Sequence, residues 1–154
     1  MMSATLQNPN LRWTAVAALP ALILAAFQAA WPWPFFSDDS FISLRYCDRL
    51  LDGFGLTWTD DAAGVPEHVE GYSNLLWVLL TAGIGALGIE LVTAARALGA
   101  VCTALALWWL ADALRPNSLR SAIVASVAPL LVASTQPVMI WTLAGLEGPL
   151  VLAL

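Results

Sequence analysis

Long apolar runs alternate with short polar stretches along this chain, and one polar stretch is much longer than the rest. Trp13 to Trp31 is apolar and long enough to cross a bilayer, which needs about 20 such residues. Trp stands at both ends, where interfacial aromatic residues belong, so the pattern predicts a first span over 13–31. Small residues closing the run, Ala29 and Ala30, also fit a cleaved signal peptide. The length of the apolar core and the aromatic-proline segment Trp31-Pro32-Trp33-Pro34-Phe35-Phe36 favour a retained span. Leu91 to Leu114 predicts a second span (91–114), and Ser121 to Trp141 a third (121–141), interrupted late by Pro129 and Pro137. A further apolar stretch begins over 145–154. The chain therefore reads as an all-α, polytopic transmembrane helix bundle, and residues 1–154 are expected to be the N-terminal portion of a longer, truncated polypeptide.

Residues 37–90 form the external loop between the first two spans. Ser37 is placed to cap a helix over Ser40 to Leu51, with Phe41, Leu44, Cys47 and Leu51 on one face and Asp48, Arg49 and Asp52 off it. Gly53 and Gly55 end that helix. A short amphipathic helix of this kind lies in a membrane interface. Asp60 to Glu67 reads as a loop, marked by Gly64 and Pro66. Asn74 to Ile89 is apolar but short and carries Gly83, Gly85 and Gly88, so it is expected to lie along or dip into the interface rather than cross.

Composition sharpens this picture. Hydrophobic residues make up 60% of the chain and charged residues 11%, against about 25% in a soluble domain, and the mean hydropathy is +0.77. Eight of the eleven acidic residues fall between Asp38 and Glu70. A net charge of −5 with no Lys argues against nucleic acid as a partner, since phosphates need a basic surface. Cys47 and Cys102 sit in unlike settings and predict neither a disulfide nor a metal site. Arg115 and Arg120 flank a short inter-span loop and belong on the cytoplasmic side. Arg12 belongs there too, which puts the acidic loop outside. Two crossings before Arg115 satisfy this and three do not, a second reason to keep residues 74–89 from spanning.

Candidate chemistry clusters in the external loop. Asp38 and Asp39 follow the first membrane exit; they either complement a helix dipole or supply a general base, with a divalent cation as a candidate cofactor. Arg45 and Arg49 repel each other one turn apart and suit an anionic partner, or else pair with Asp48 and Asp52 or snorkel. Arg96, just inside the second span, suggests a lipid phosphate. Asp39, His68 and Glu70 are candidate metal ligands, although one His carries little signal. Glu70, Tyr72, Asn74 and Trp77 look like a carbohydrate-facing set, with hydrogen-bonding groups for hydroxyls and an aromatic plane for a sugar face. Glu147 emerges on the same side as Asp38.

Four segments then occur in order: Ser37-Asp38-Asp39-Ser40-Phe41-Ile42-Ser43-Leu44-Arg45-Tyr46, Gly53-Phe54-Gly55-Leu56-Thr57-Trp58, Val69-Glu70-Gly71-Tyr72-Ser73-Asn74-Leu75-Leu76-Trp77 and Gly145-Leu146-Glu147-Gly148-Pro149-Leu150. This series resembles the polytopic GT-C glycosyltransferases that use polyprenyl-phosphate sugars. It is most similar to bacterial cell-envelope members related to mycobacterial terminal arabinofuranosyltransferases, and more distantly to the protein O-mannosyltransferase and lipid A aminoarabinose transferase group. The resemblance implies a hexosyl or pentosyl transferase in the bacterial inner membrane, its active loop facing outward. It implies a GT-C-like bundle with interfacial helices in the first external loop and a glycan, lipid or protein acceptor. It also implies a catalytic acidic pair at Asp38 and Asp39, the first as base, with Asp-Asp standing where relatives often have Asp-Glu. Glu147 matches a family acidic position. A fragment of this length is expected to be inactive alone. A transporter or lipid flippase, or a non-catalytic membrane scaffold, are the rival classes; a transporter would place ionisable groups at mid-bilayer, whereas Arg96 and Asp112 lie near the ends of their run.

Overall fold

A computed structural model describes residues 11–30, 35–60, 63–69 and 71–154. The fold is mostly helical, and among the described residues two helices are long and apolar enough to cross a membrane. These are α1 (Leu11–Ala30) and α4 (Leu91–Ala113), about 30 and 35 Å long at the α-helical rise. Between them come α2 (Ser40–Leu51), α3 (Leu75–Gly85) and a two-residue antiparallel pair, β1 (Thr59–Asp60) with β2 (Pro66–Glu67). After α4 follow α5 (Leu119–Ala125), α6 (Val127–Ala133), α7 (Gln136–Trp141) and α8 (Gly148–Ala153).

Helices α1 and α4 pack antiparallel. Thr14 Oγ1 donates to Asp112 Oδ1 at 2.9 Å at one end, Ala21 meets Leu107 in the middle, and Arg96 donates to the Phe35 carbonyl at the other end, 3.3 Å. The facing surfaces are made of small residues. Thr14, Ala17, Ala18 and Ala21 are buried on α1, and Ala94, Ala95, Gly99, Cys102, Thr103, Leu107 and Ala111 on α4. The large apolar side chains point outward at four-residue spacing: Leu19, Ile23 and Phe27 on α1, Val101, Leu105 and Trp109 on α4. Small residues inside and large ones outside invert the order of a water-soluble core and match helix packing in lipid, where close backbone approach supplies the attraction. The α5–α6 region repeats the inversion, burying Ala122, Ala125 and Ala133 while exposing Ile123, Val124, Val127 and Leu131.

The predicted third span, 121–141, is present as a path but not as one helix. It starts beside Ala17, Ala18 and Ala111 and ends with Thr142 bonded to Thr103 at 3.1 Å, so it runs back alongside α1. Pro129 and Pro137 lack the N–H groups that would bond the carbonyls of Ala125 and Ala133, and those are the last residues of α5 and α6. Near each break a serine side chain bonds the backbone three residues back: Ser126 Oγ donates to Ile123 O at 2.7 Å and Ser134 Oγ to Leu131 O at 2.9 Å, a local competition typical of Ser.

In the external segment the bounds of α2 agree with the sequence pattern. Its end is a Schellman motif: Gly53, at φ +84°, donates its N–H to Leu50 O, and Phe54 N–H donates to Arg49 O at 2.9 Å. Its start differs from expectation. Ser37 does not cap it; the N-cap is Asp39, with no side-chain bond, and Ser37 is buried with its N–H given to Ala144 O. The buried face also differs: Leu44 and Cys47 are inside, Phe41 and Leu51 are exposed, and Arg49 is buried. Asp60 to Glu67 was expected to be a plain loop but carries the β1–β2 pair at its ends. Helix α3 has 11 residues, about 16 Å, roughly half a bilayer core. It packs against α2 through Tyr46, Cys47, Val78 and Ala82. Glu90 caps α4, accepting from Val92 N–H at 3.0 Å and Thr93 N–H at 2.7 Å; burial raises its pKa slightly, but those bonds prevail and hold it below the usual carboxylate value.

Candidate functional site

Three segments distant in sequence meet at the end of the bundle where α1 exits and α4 begins. The first is the start of α2, the second Gly71–Asn74 leading into α3, and the third the turn 144–147 before α8. Ala144 is the anchor: its carbonyl accepts from Ser37 N–H at 2.9 Å and from Ser40 Oγ at 2.7 Å. Trp77 Nε1 donates to the next carbonyl, Gly145 O, at 3.0 Å. Gly145 has φ +87°, and a Cβ there would fall 2.2 Å from the Phe36 ring and 2.9 Å from Ser40 Oγ. A side chain at 145 would push the turn off α2, so glycine is required on both counts.

These contacts frame a cavity of about 230 Å³, walled by Asp39, Ile42 and Ser43 of α2, by Gly71–Asn74, and by Leu146 and Glu147. Asn74 is its crosspiece: the side-chain amide donates to Ser43 Oγ at 3.0 Å and to Glu147 Oε2 at 2.8 Å. One face of Glu147 is thereby fixed while the residue stays partly accessible. Tyr46 supports the opposite wall, donating to Val69 O at 2.7 Å and accepting from Gly71 N–H at 3.1 Å. Tyr72 packs edge-on against it, ring centroids 4.6 Å apart. The result is a small polar recess with two carboxylates, an amide, two serine hydroxyls and a tyrosine, a donor and acceptor set suited to a polyhydroxylated ligand.

Several sequence-predicted site residues thus come together: Asp39, Tyr72, Asn74 and Glu147. Asp38 is exposed beside them, but its Oδ1 accepts from Asp39 N–H at 3.1 Å and it is not part of the wall. Of the acidic pair, Asp39 lines the cavity, while Asp38, the expected base, stands exposed next to it. Trp77 departs from its expected role. It is 1% exposed and packs among Leu44 and Ala95, so its ring offers no plane to a sugar. Arg45 turns away from the cavity, its Nε donating to Trp58 O at 3.1 Å and its guanidinium 3.6 Å from Asp48. Arg49 is buried and pairs with Asp60, Thr57 Oγ1 and the Phe54 ring; both arginines serve intraloop pairing. Arg96 lies behind Phe36, its guanidinium 5.5 Å from that ring.

His68 is exposed near the β1–β2 pair, outside the cavity wall. Glu70 lies outside the described residues. Among the described residues no three of His, Cys, Asp and Glu gather to hold a metal ion. Both cysteines are free and buried; Cys47 Sγ lies 3.3 Å from Val78 O, and burial pushes its thiol up to about 11. Ser43 and Tyr46 were not anticipated. Ser43 lies four residues after Asp39, hence on the same helical face, a signal available in the sequence. Tyr46 is held by backbone groups 23 and 25 residues away, which leaves no local trace.

Comparison of the chain with protein-family models, curated proteins and solved structures finds no match.

Proposed function

We propose that this chain is the front portion of a GT-C-type glycosyltransferase, moving a pentosyl or hexosyl group from a polyprenyl-phosphate donor to a cell-envelope acceptor. The observation that carries the reading is the convergence of Asp39, Asn74 and Glu147 on one small polar cavity at the end of an apolar, helical bundle. The order of the acidic pair, the Glu-Gly-Tyr-Ser-Asn segment and the later Glu147 resembles that superfamily, and three of those segments are the cavity's walls. The inverted packing of α1 and α4 supports a lipid surround; a bacterial inner membrane is what the resemblance implies, and an outward acidic end is what Arg12, Arg115 and Arg120 at the opposite end favour. A transporter is disfavoured by the charge-free middles of both long helices, between Arg12 and Ala30 and between Arg96 and Asp112.

In this reading Asp39 removes the proton from the acceptor hydroxyl as its oxygen attacks the anomeric carbon, and the lipid phosphate departs with the bonding pair. Glu147, held by Asn74, lies where positive charge on an oxocarbenium-like sugar would be stabilised. Arg96, at the membrane-facing side of the same end, is the group closest in character to a phosphate partner.

Radiolabelled pentosyl and hexosyl polyprenyl phosphates, supplied to membranes carrying the full-length polypeptide, test this. Asp39→Asn is expected to lower transfer about 10²–10⁴-fold while leaving donor binding intact, with Asp38→Asn costing less. Wild-type transfer by Asp39→Asn, or no donor turnover by the native protein, would refute it.

A further inference from the structure

The opposite end of the bundle carries a second and larger cavity, about 630 Å³, between the end of α4 and the α5–α6 segment. Its mouth is polar, with Arg120, Ser118 and Ser121; its wall is apolar, with Leu114, Val124 and Ala128. The two serines satisfy each other and nearby backbone: Ser118 Oγ and Ser121 Oγ are 3.0 Å apart, and Ser121 Oγ accepts from Ser118 N–H at 2.9 Å. Recognition at the mouth therefore falls to the Arg120 guanidinium. Neither Arg120 nor Arg115 makes an ion pair among the described residues. Arg115 also holds a left-handed backbone, φ +47°, uncommon for a non-glycine residue.

Charge is divided along the bundle. Three of the six arginines, Arg12, Arg115 and Arg120, sit at this end of a chain with net charge −5. Asp112, the acidic residue here, is engaged by Thr14. The apolar wall continues into the exposed face of Ile123, Val124, Val127 and Leu131. A ligand fitting both features is an amphiphile, with a phosphate for the guanidinium and a chain to lie along exposed aliphatic side chains.

We propose that this cavity binds an anionic phospholipid, its phosphate held by Arg120 and its upper acyl segment against Leu114, Val124 and Ala128. Lipid capture here requires no glycosyl transfer, so the two proposals fail separately. Native mass spectrometry of the purified chain in maltoside micelles, titrated with dioctanoyl phosphatidylglycerol and dioctanoyl phosphatidylcholine, is the test. One phosphatidylglycerol, with its net negative charge, is expected to be retained about fivefold more tightly than phosphatidylcholine, whose choline cation offsets the same phosphate. Arg120→Gln should remove that preference, Arg120→Lys should keep part of it, and Arg45→Gln at the other end should leave it unchanged. Val124→Glu, at an exposed position, should weaken both lipids. Equal retention of the two lipids, an unaltered preference in Arg120→Gln, an equal loss in Arg45→Gln, or displacement by millimolar inorganic phosphate would each overturn it.

Discussion

The acidic end of the bundle and the apolar body below it are built by opposite means. At the acidic end, chain segments as far apart as Ser40 and Ala144 are tied by directional hydrogen bonds: Ser40 to Ala144, Trp77 to Gly145 and Asn74 to Glu147. In the body, α1, α4 and α5 touch through alanines, with few polar contacts, among them Thr14–Asp112 and Thr103–Thr142. The first region gains its shape from satisfying buried polar groups, which are costly to leave unpaired. The second gains it from close approach, which only small side chains permit. A cavity that must keep carboxylates at fixed positions belongs where bonds have direction. A surface that packs through small side chains needs only shape.

The contrast can be broken from either side. The largest effect is expected from Trp77→Ala, which removes a buried ring and the bond to Gly145 together. Truncating a buried Trp costs about 3–5 kcal/mol, read as lost stability in a reversible detergent unfolding titration. Retained stability would mean that the 144–147 turn is held without it. In the body the corresponding lesion is added volume. Ala18→Leu at a fully buried helix contact is expected to cost about 1–3 kcal/mol by overpacking, whereas Ile23→Leu on the exposed face should lie within about 0.5 kcal/mol. Equal effects at the two positions would show that small residues are not what brings the helices together.

An effect confined to high pH concerns Cys47, in the packing between α2 and α3. Its thiol rises from an ordinary 9.0 to about 11 in the fold, so the unfolded chain loses this proton first. Stability should therefore fall as pH rises from about 9 to 11 and be insensitive to Cys47 below that window. Cys47→Ala should flatten that part of the pH profile, and in the wild type iodoacetamide labelling at pH 8 should be slow. Rapid labelling at pH 8 would mean that α2 and α3 separate readily.

The apolar runs of α1 and α4, the bounds of α2 and the glycine stop at Gly53 were legible in the residue order, because hydrophobic length, helical period and left-handed glycine geometry are local properties. The split of 119–141 was half legible. Pro129 and Pro137 announced an interruption, but only the pairing of Ser126 and Ser134 with carbonyls three residues back shows how the path continues across the breaks.

The roles of individual side chains were the least legible. Trp77 reads as a sugar platform and is a buried brace; Arg49 reads as facing an anionic ligand, or Asp48 and Asp52, and is locked to Asp60; of Asp38 and Asp39, it is Asp39 that walls the cavity. Each outcome depends on a partner more than ten residues away or on the rotation of α2 against α3, and neither leaves a local pattern. The residue order alone dictated the two long apolar helices, the extent of α2 and its glycine stop, and that acidic groups crowd one loop, since those follow from short-range sterics and solvation. It left open which face of each apolar helix turns inward. α1 and α4 are apolar all round, so no period distinguishes their faces; alanine-to-alanine packing, with the bonds from Ser37 to Ala144, Trp77 to Gly145 and Asn74 to Glu147 at the acidic end, made that choice.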